Sequence, residues 1–336
     1  MLKTILITGG AGYVGSKLVD YSLKKKLRVI CLDNLVYGDK SIKTFTKNKN
    51  FQLFRNDIRD EKILKKIFKN KIDYVVNLAS IVGDKQCKTI SKSAYDINYN
   101  GNKILCEYSI KYGVKKYIFA STCSNYGISD PKIFATEESK LFPVSLYAEA
   151  KIDAENFLEK YLDSEMEIVS LRFATAFGAS FRTRFDLTLN SFTYEALKFN
   201  KIELFAKDSW RPFIHVNDMC LIILKVLENS RFKIKNDIFN AGFTKENFTK
   251  IQLVKKILKQ LKKTQITFNH SIDDRRNYKV SFKKLENKFK SKVNFNVDYG
   301  IKEIKTMIRK NIITEEDVKE NLLDNNCERL LKFFKF

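Results

Sequence analysis

Tyr147 and Lys151 stand four residues apart in a stretch whose pattern predicts a helix over 147–162. At that spacing both side chains leave one helix face. A phenol beside an ammonium is an acid/base pair, because the cation favours the phenolate and draws its pKa toward neutrality. Tyr-x-x-x-Lys alone recurs by chance in a chain with 15 tyrosines. Its place a short way beyond Thr122, which closes a predicted strand, gives the pair its weight.

A second constellation lies at the other end of the same predicted unit. Gly9, Gly12 and Gly15 form a GxxGxxG loop between a predicted strand (3–8) and a predicted helix (14–26). Glycine permits the tight turn, lets backbone approach a pyrophosphate, and lets helix pack closely on strand. The helix start then offers the free N–H groups of Tyr13 and Val14 to phosphate oxygens. Asp33 ends the second predicted strand, where a carboxylate accepts hydrogen bonds from ribose hydroxyls and repels a 2′-phosphate. Such a loop binds a dinucleotide, with NAD favoured over NADP. Asp57 and Ile58, after the third strand, are placed to meet the adenine edge.

These residues need a scaffold, and the chain alternates apolar runs with amphipathic stretches as a parallel sheet requires. Strands are predicted over 3–8, 28–32, 51–54, 74–78, 117–120 and 168–173, with helices over 14–26, 61–68, 97–112 and 147–162. Beyond 176 the pattern loosens: a basic-aromatic loop at 181–185, helices over 187–199, 248–261, 280–289 and 299–310, a strand over 202–205, and a helix starting at Thr314. The expected architecture is α/β, a Rossmann-type doubly wound parallel sheet with a smaller C-terminal α/β substrate lobe. Its expected parts are an NAD-binding domain over 1–176, a substrate lobe over 177–316 whose segment 212–242 returns to the first domain, and a helical tail over 317–336.

Composition narrows the class. With 336 residues, 44% apolar, the chain is long enough for about two lobes with their own cores. No apolar run approaches the ~18 residues of a membrane span, and the N-terminus lacks the pattern of a signal peptide. Six cysteines without metal-ligand spacing and only two histidines argue against a metal site and for a reduced, cytoplasmic protein. A net charge of +23 raises the question of nucleic acid. The lysines are scattered in twos and threes outside any nucleic-acid module, so a solvated basic surface is expected, with no nucleic-acid or membrane partner.

Taken together, the motifs resemble the extended short-chain dehydrogenase/reductase family, in its nucleotide-sugar branch. The segments that carry the likeness are 8–15, 33–35, 57–60, 77–80, 98–101, 121–127, 147–151, 211–218 and 274–278, in the family's order. The resemblance implies that Tyr147 exchanges a proton with a sugar hydroxyl and that Lys151 lowers its pKa and holds the nicotinamide ribose. It implies that Thr122 hydrogen-bonds the reacting oxygen and that Asn98 braces helix backbone and proton path. NAD would lie against Gly9, Gly12, Tyr13, Val14, Gly15, Asp33, Asn34, Asp57, Ile58, Leu78, Ala79, Tyr147 and Lys151. A homodimer through the helices near 98–112 and 147–162 is expected on the same ground.

Departures from the family pattern narrow the reaction. The branch's 4,6-dehydratases carry Asp-Glu directly after the Thr, where this chain has Cys123 and Ser124, so water elimination is disfavoured. Redox at one carbon, usually C4, remains: a 4-epimerase or a 4-dehydrogenase, serving surface-polysaccharide synthesis, with a catalytically silent NAD-binding regulator as the alternative class. Arg182, Arg184, Arg211 and Arg276, with Asn190, Cys123 and Ser124, are the expected contacts for a nucleotide-diphosphate sugar, since the planar guanidinium pairs with phosphate oxygens. The segment 171–189 resembles a subgroup acting on GDP- or CDP-sugars, including GDP-mannoheptose 4-dehydrogenases. His215, in a predicted buried strand, is expected to be structural.

Overall fold

A computed structural model describes residues 2–130, 132–161, 163–229, 237–269 and 274–334. Leu162, the expected end of one helix, and residues 335–336 of the expected tail lie outside the described residues. Runs such as Thr-Ile-Leu-Ile-Thr are buried along their whole length, and β-branched side chains suit a strand covered on both faces. Thr4–Thr8, Arg28–Asp33, Phe51–Arg55, Tyr74–Asn77, Lys116–Thr122, Glu167–Phe173 and Asp237–Ala241 form one parallel sheet.

Thr4–Thr8 lies inside the sheet. Arg28–Asp33 and then Phe51–Arg55 extend one side, and Tyr74–Asn77 begins the other. The connections therefore diverge at the first strand and open a crevice beyond its C-terminal end. Alternate side chains feed two layers. Ile5 and Ile7 pack with Leu18, Ile223 and Leu285 of the helices Tyr13–Lys24, Val216–Glu228 and Lys283–Phe289. Leu6 faces the opposite way, into a layer with Leu64, Leu105 and Leu158 of the helices Glu61–Ile67, Asn100–Lys111 and Leu146–Glu159.

The smaller lobe has its own core, where Phe177, Leu189, Ile202, Phe213, Leu253 and Ile301 meet. Its frame is a three-stranded sheet of Thr175–Phe177, Trp210–His215 and Asn247–Thr249, with the parallel pair Lys201–Leu204 and Gln265–Phe268 beside it. His215 is fully buried: Nδ1 accepts from the Asn217 backbone and Nε2 lies 2.9 Å from Glu303 Oε2, so it caps a helix and ties two segments together.

Several elements escape the sequence pattern. Helix Val216–Glu228 is mostly buried, with Lys225 and Glu228 its exposed residues, so its polar face is narrow and easily overlooked. The expected helix over 97–112 is two helices, Ser91–Asn98 and Asn100–Lys111, meeting at Tyr99. A short polar helix, Asp84–Thr89, precedes them. The C-terminal hairpin begins at a capping box, in which Thr314 and Asp317 satisfy each other's backbone N–H groups, opening Glu315–Glu320. Its second helix, Leu323–Phe334, folds back onto the large domain, and Leu330 is fully buried in the layer that holds Leu6 and Ile30. All six cysteines are buried unpaired thiols, and among the described residues no helix is long and apolar enough to cross a membrane.

Leu330→Ala tests the docking of that last helix. A core leucine truncated in place costs about 2–5 kcal/mol of unfolding free energy, read from urea midpoints. A change below about 0.5 kcal/mol, as at an exposed site, would mean the helix is an undocked tail.

Candidate active site

The crevice at the strand ends holds a cavity of about 320 Å³. Gly9, Gly12, Tyr13, Val14, Gly15, Asp33, Asn34, Asp57, Ile58, Leu78 and Ala79 line one part of it. Thr122, Ser124, Tyr147, Lys151, Arg182, Arg184 and Arg276 line the rest. Residues from both ends of the chain thus share one cavity.

The glycines are there for space. Gly9 has φ +70°, and a Cβ would sit 2.7 Å from the Ala79 nitrogen; at Gly15 it would sit 2.1 Å from the Gly9 carbonyl oxygen. Larger residues would push strand, loop and helix apart. Helix Tyr13–Lys24 starts at Gly12 with no side-chain cap and no acidic residue in its first turn. Its free N–H groups and positive dipole end therefore face the cavity, an anion cradle. Asp33 Oδ2 accepts from the Ala11 backbone N–H at 2.9 Å and Oδ1 from Leu35 at 2.8 Å, which fixes the carboxylate beside the loop. Burial pushes its pKa up, against the pull of those two bonds and of nearby Arg182. Asp57 is held in a fork by Arg59, at 2.8 Å from both Nε and Nη2.

Uncapped amides, a cradle a Cβ would fill, and a buried Arg182 Nε without a partner among the described residues all suit a dinucleotide. The residues present fit NAD.

Helix Leu146–Glu159 starts where Ser145 accepts from the Ala148 N–H. Its residues 147, 151 and 155 face the sheet. Lys151 is buried, donates to the Ala120 carbonyl at 2.7 Å, and sits 5.8 Å from the centre of the Tyr147 ring. Burial draws the Lys151 pKa down to about 7. Tyr147 departs from expectation. Burial pushes its phenol up, Cys87 adds to that, and the opposing pulls come from Arg184 and a hydrogen bond with Thr122. An amine itself desolvated to near neutrality is only a partial cation and contributes little to the phenol. Thr122 also accepts from the Ser124 N–H at 3.1 Å, which turns its hydroxyl into the cavity mouth.

Four expected site residues stand outside the lining. Asn98 is buried and binds both backbone groups of Ile81 and the Ser80 hydroxyl, so it braces the loop after Tyr74–Asn77. The Cys123 thiol is buried and donates to the Arg172 carbonyl, and burial holds it well up in the neutral form. Asn190 spends its amide on Gly178 and on the Arg184 carbonyl. Arg211 is paired with Asp274 at 2.8 Å behind the wall. Cys123, Asn190 and Arg211, expected as substrate contacts, do not line this cavity, and Asn98, expected to brace helix backbone, braces a loop instead.

The sequence reading passed over three groups that matter here. Glu155 and Arg172 form a buried ion pair at 2.7 Å, reinforced by Ser121 and Asn125, one helical turn from Lys151. Asp186 holds Arg184 in a two-point fork (3.0 and 2.6 Å) and accepts from Gln86 at 3.1 Å. Asp84 pairs with Arg276 at 3.2 Å across the cavity. The i, i+4, i+8 run of Tyr147, Lys151 and Glu155 was a usable signal for the first. Asp186 stands two residues from Arg184, in the Arg-Thr-Arg-Phe-Asp-Leu segment, whereas Asp84 is far in sequence from Arg276 and gave no signal.

The sequence model of the NAD dependent epimerase/dehydratase family matches residues 5–242. A UDP-glucose 4-epimerase of Bacillus subtilis is 28% identical over 273 residues, 75% of this chain and 80% of that one. Further curated relatives of that kind match over about half their own length. Among solved structures, a UDP-glucose 4-epimerase of Thermotoga maritima with UDP-glucose superposes with TM-score 0.82 at 27% identity, covering 92% of this chain and 99% of that one. A dTDP-glucose 4,6-dehydratase of Bacillus anthracis in complex with NAD does so with TM-score 0.82 at 26%, covering 95% and 99%.

The depressed Lys151 has a sign that can be measured. Between its folded value of about 7 and the ordinary 10.5, the unfolded chain binds more protons, so stability from this group rises with pH. Lys151→Met removes the titration. The wild-type minus variant unfolding free energy should be flat below about pH 6 and climb from about pH 7 to 10. A difference independent of pH would place the amine in solvent.

Proposed function

The chain belongs to the NAD-dependent epimerase/dehydratase family, and from that premise we propose that it oxidises and re-reduces C4 of a nucleotide-diphosphate sugar, as a 4-epimerase. The observation that carries this reading is the convergence of Tyr147, Lys151 and Thr122 on the cavity that the glycine loop and Asp33 also line. NAD, when bound, supplies the acceptor and donor of the hydride. Tyr147 takes the proton from the C4 hydroxyl only as the phenolate, which the nearby Arg184 charge favours against burial, and returns it on re-reduction, with Thr122 sharing the reacting oxygen. Lys151, held on the Ala120 carbonyl one helical turn from Tyr147, adds to that pull when it is protonated.

Arg184 and Arg276 meet the sugar's diphosphate or its hydroxyls. Each is charged by its carboxylate partner yet open to the cavity. Water elimination is disfavoured because a buried neutral thiol and a serine follow Thr122, and neither replaces a carboxylic acid and its conjugate base. UDP-hexoses are the first substrates to test, because the similar enzymes are UDP-glucose 4-epimerases. GDP-sugars come second, from the Arg-Thr-Arg-Phe-Asp-Leu segment. A 4-dehydrogenase is the second reading, favoured by the same segment.

Tyr147→Phe should lower turnover by about 10²–10⁴-fold while NAD binding persists. Unchanged turnover would remove Tyr147 from the mechanism. Under steady turnover of the right sugar, an epimerase leaves 340-nm absorbance flat and a dehydrogenase accumulates NADH. Sedimentation should give a dimer through the face built by Asn100–Lys111 and Leu146–Glu159; a monomer would contradict that assembly.

A further inference from the structure

Arg182 was expected to meet the substrate, but its surroundings lie on the other side of the cavity. Its guanidinium stacks 3.7 Å from the centre of the Tyr37 ring, in the loop that follows Asp33, and its charge pulls on the Asp33 carboxyl. Stacking of this kind fixes the plane of the fork as well as its position. Nη2 donates to Asn326 Oδ1 at 2.9 Å, while Nε is buried without a partner among the described residues. A buried donor left unmade is costly, and Arg182 also lines the cavity, so an acceptor on a ligand bound there would complete it.

What holds Arg182 there is the C-terminal hairpin. Asn326 is buried on helix Leu323–Phe334, whose Leu330 is anchored in the core beneath the sheet. The hairpin also grips three segments that flank residues lining the cavity. Asp317 pairs with Lys40 at 2.6 Å, Asp324 pairs with Lys85, and the Asn321 carbonyl accepts from the Phe185 N–H at 3.3 Å. Lys40, Lys85 and Phe185 belong to three separate stretches of the cavity's rim, and one hairpin spans them all.

We propose that Arg182 is a cofactor-binding residue on the adenosine side of NAD, and that the C-terminal hairpin, through Asn326, is the brace that sets it there. This rests on the reading of the glycine-loop cavity as the dinucleotide site. Asp33 accepts from ribose hydroxyls and Arg182 Nε donates to an oxygen of the same half of the ligand. The two groups lie close enough for the Arg182 charge to pull on the Asp33 carboxyl, an acceptor and a donor at the same end of the cavity. The hairpin thereby makes cofactor retention depend on the last part of the chain.

The test uses the full-length protein freed of nucleotide, with NAD and then ADP titrated calorimetrically. Arg182→Gln should weaken both by about tenfold, Asn326→Ala both by about three- to fivefold, and Arg182→Lys should recover part of the loss. The Km for the nucleotide sugar should move less than about twofold. Unchanged NAD and ADP affinity in Arg182→Gln, or a loss confined to the sugar's Km, would overturn the proposal. If Arg182→Gln does not fold, Asn326→Ala decides by the same readout, since it leaves the Tyr37 stack intact. Wild-type protein that takes up neither NAD nor ADP would overturn the dinucleotide reading beneath it instead, so the two failures are distinct.

Discussion

The site hangs on one buried ion pair. Glu155 and Arg172 face each other in the core, with Ser121, Asn125, Tyr126 and the Glu137 carbonyl taking further hydrogen bonds. A buried pair of this kind gains little net stability over apolar packing, but losing one partner strands a charge at a cost of about 3–5 kcal/mol. Its effect is on register. Glu155 is fixed against strand Glu167–Phe173, so Lys151 and Tyr147, one and two turns earlier, are fixed against the ends of the neighbouring strand. A slide or rotation of the helix that moved the phenol would also break the pair.

The opposite wall depends on close approach rather than charge. Gly9 and Gly15 let strand, loop and helix come within distances no side chain tolerates, and the uncapped helix start is thereby aimed into the cavity. Charges in the rest of the cavity are paired but not neutralised: Arg184 with Asp186, Arg276 with Asp84 and Asp274. Each carboxylate orients a guanidinium while leaving donors open. The chain's +23 therefore has little to do with the site, where most positive charge is balanced locally.

Local physics made much of this legible. The seven-stranded sheet is built from runs whose apolar character is continuous, and six of its strands stand out in the sequence. The seventh, Asp237–Ala241, and the helix before it do not: the strand is five residues with Asp237 and Asn240 among them, and the helix shows only a narrow polar face. Gly9, Gly12, Gly15 and Asp33 were readable since turn, spacing and chemistry agree within a few residues. Asn98, Asn190 and Arg211 resemble ligand contacts in sequence yet spend their polar atoms on backbone or on Asp274.

By itself the sequence determined the parallel α/β scaffold, the family, the NAD loop, and the four-residue spacing that puts Tyr147 beside Lys151. These follow from short-range rules: strand and helix period, glycine's freedom, and helical geometry. Only the tertiary structure decided where each arginine points, that burial raises the Tyr147 phenol while lowering Lys151, and that the last helix returns to the cavity rim. Those outcomes depend on desolvation and on partners such as Asp84 for Arg276 or Asn326 for Arg182. Such partners lie more than a hundred residues away in the chain and meet only when both lobes have closed.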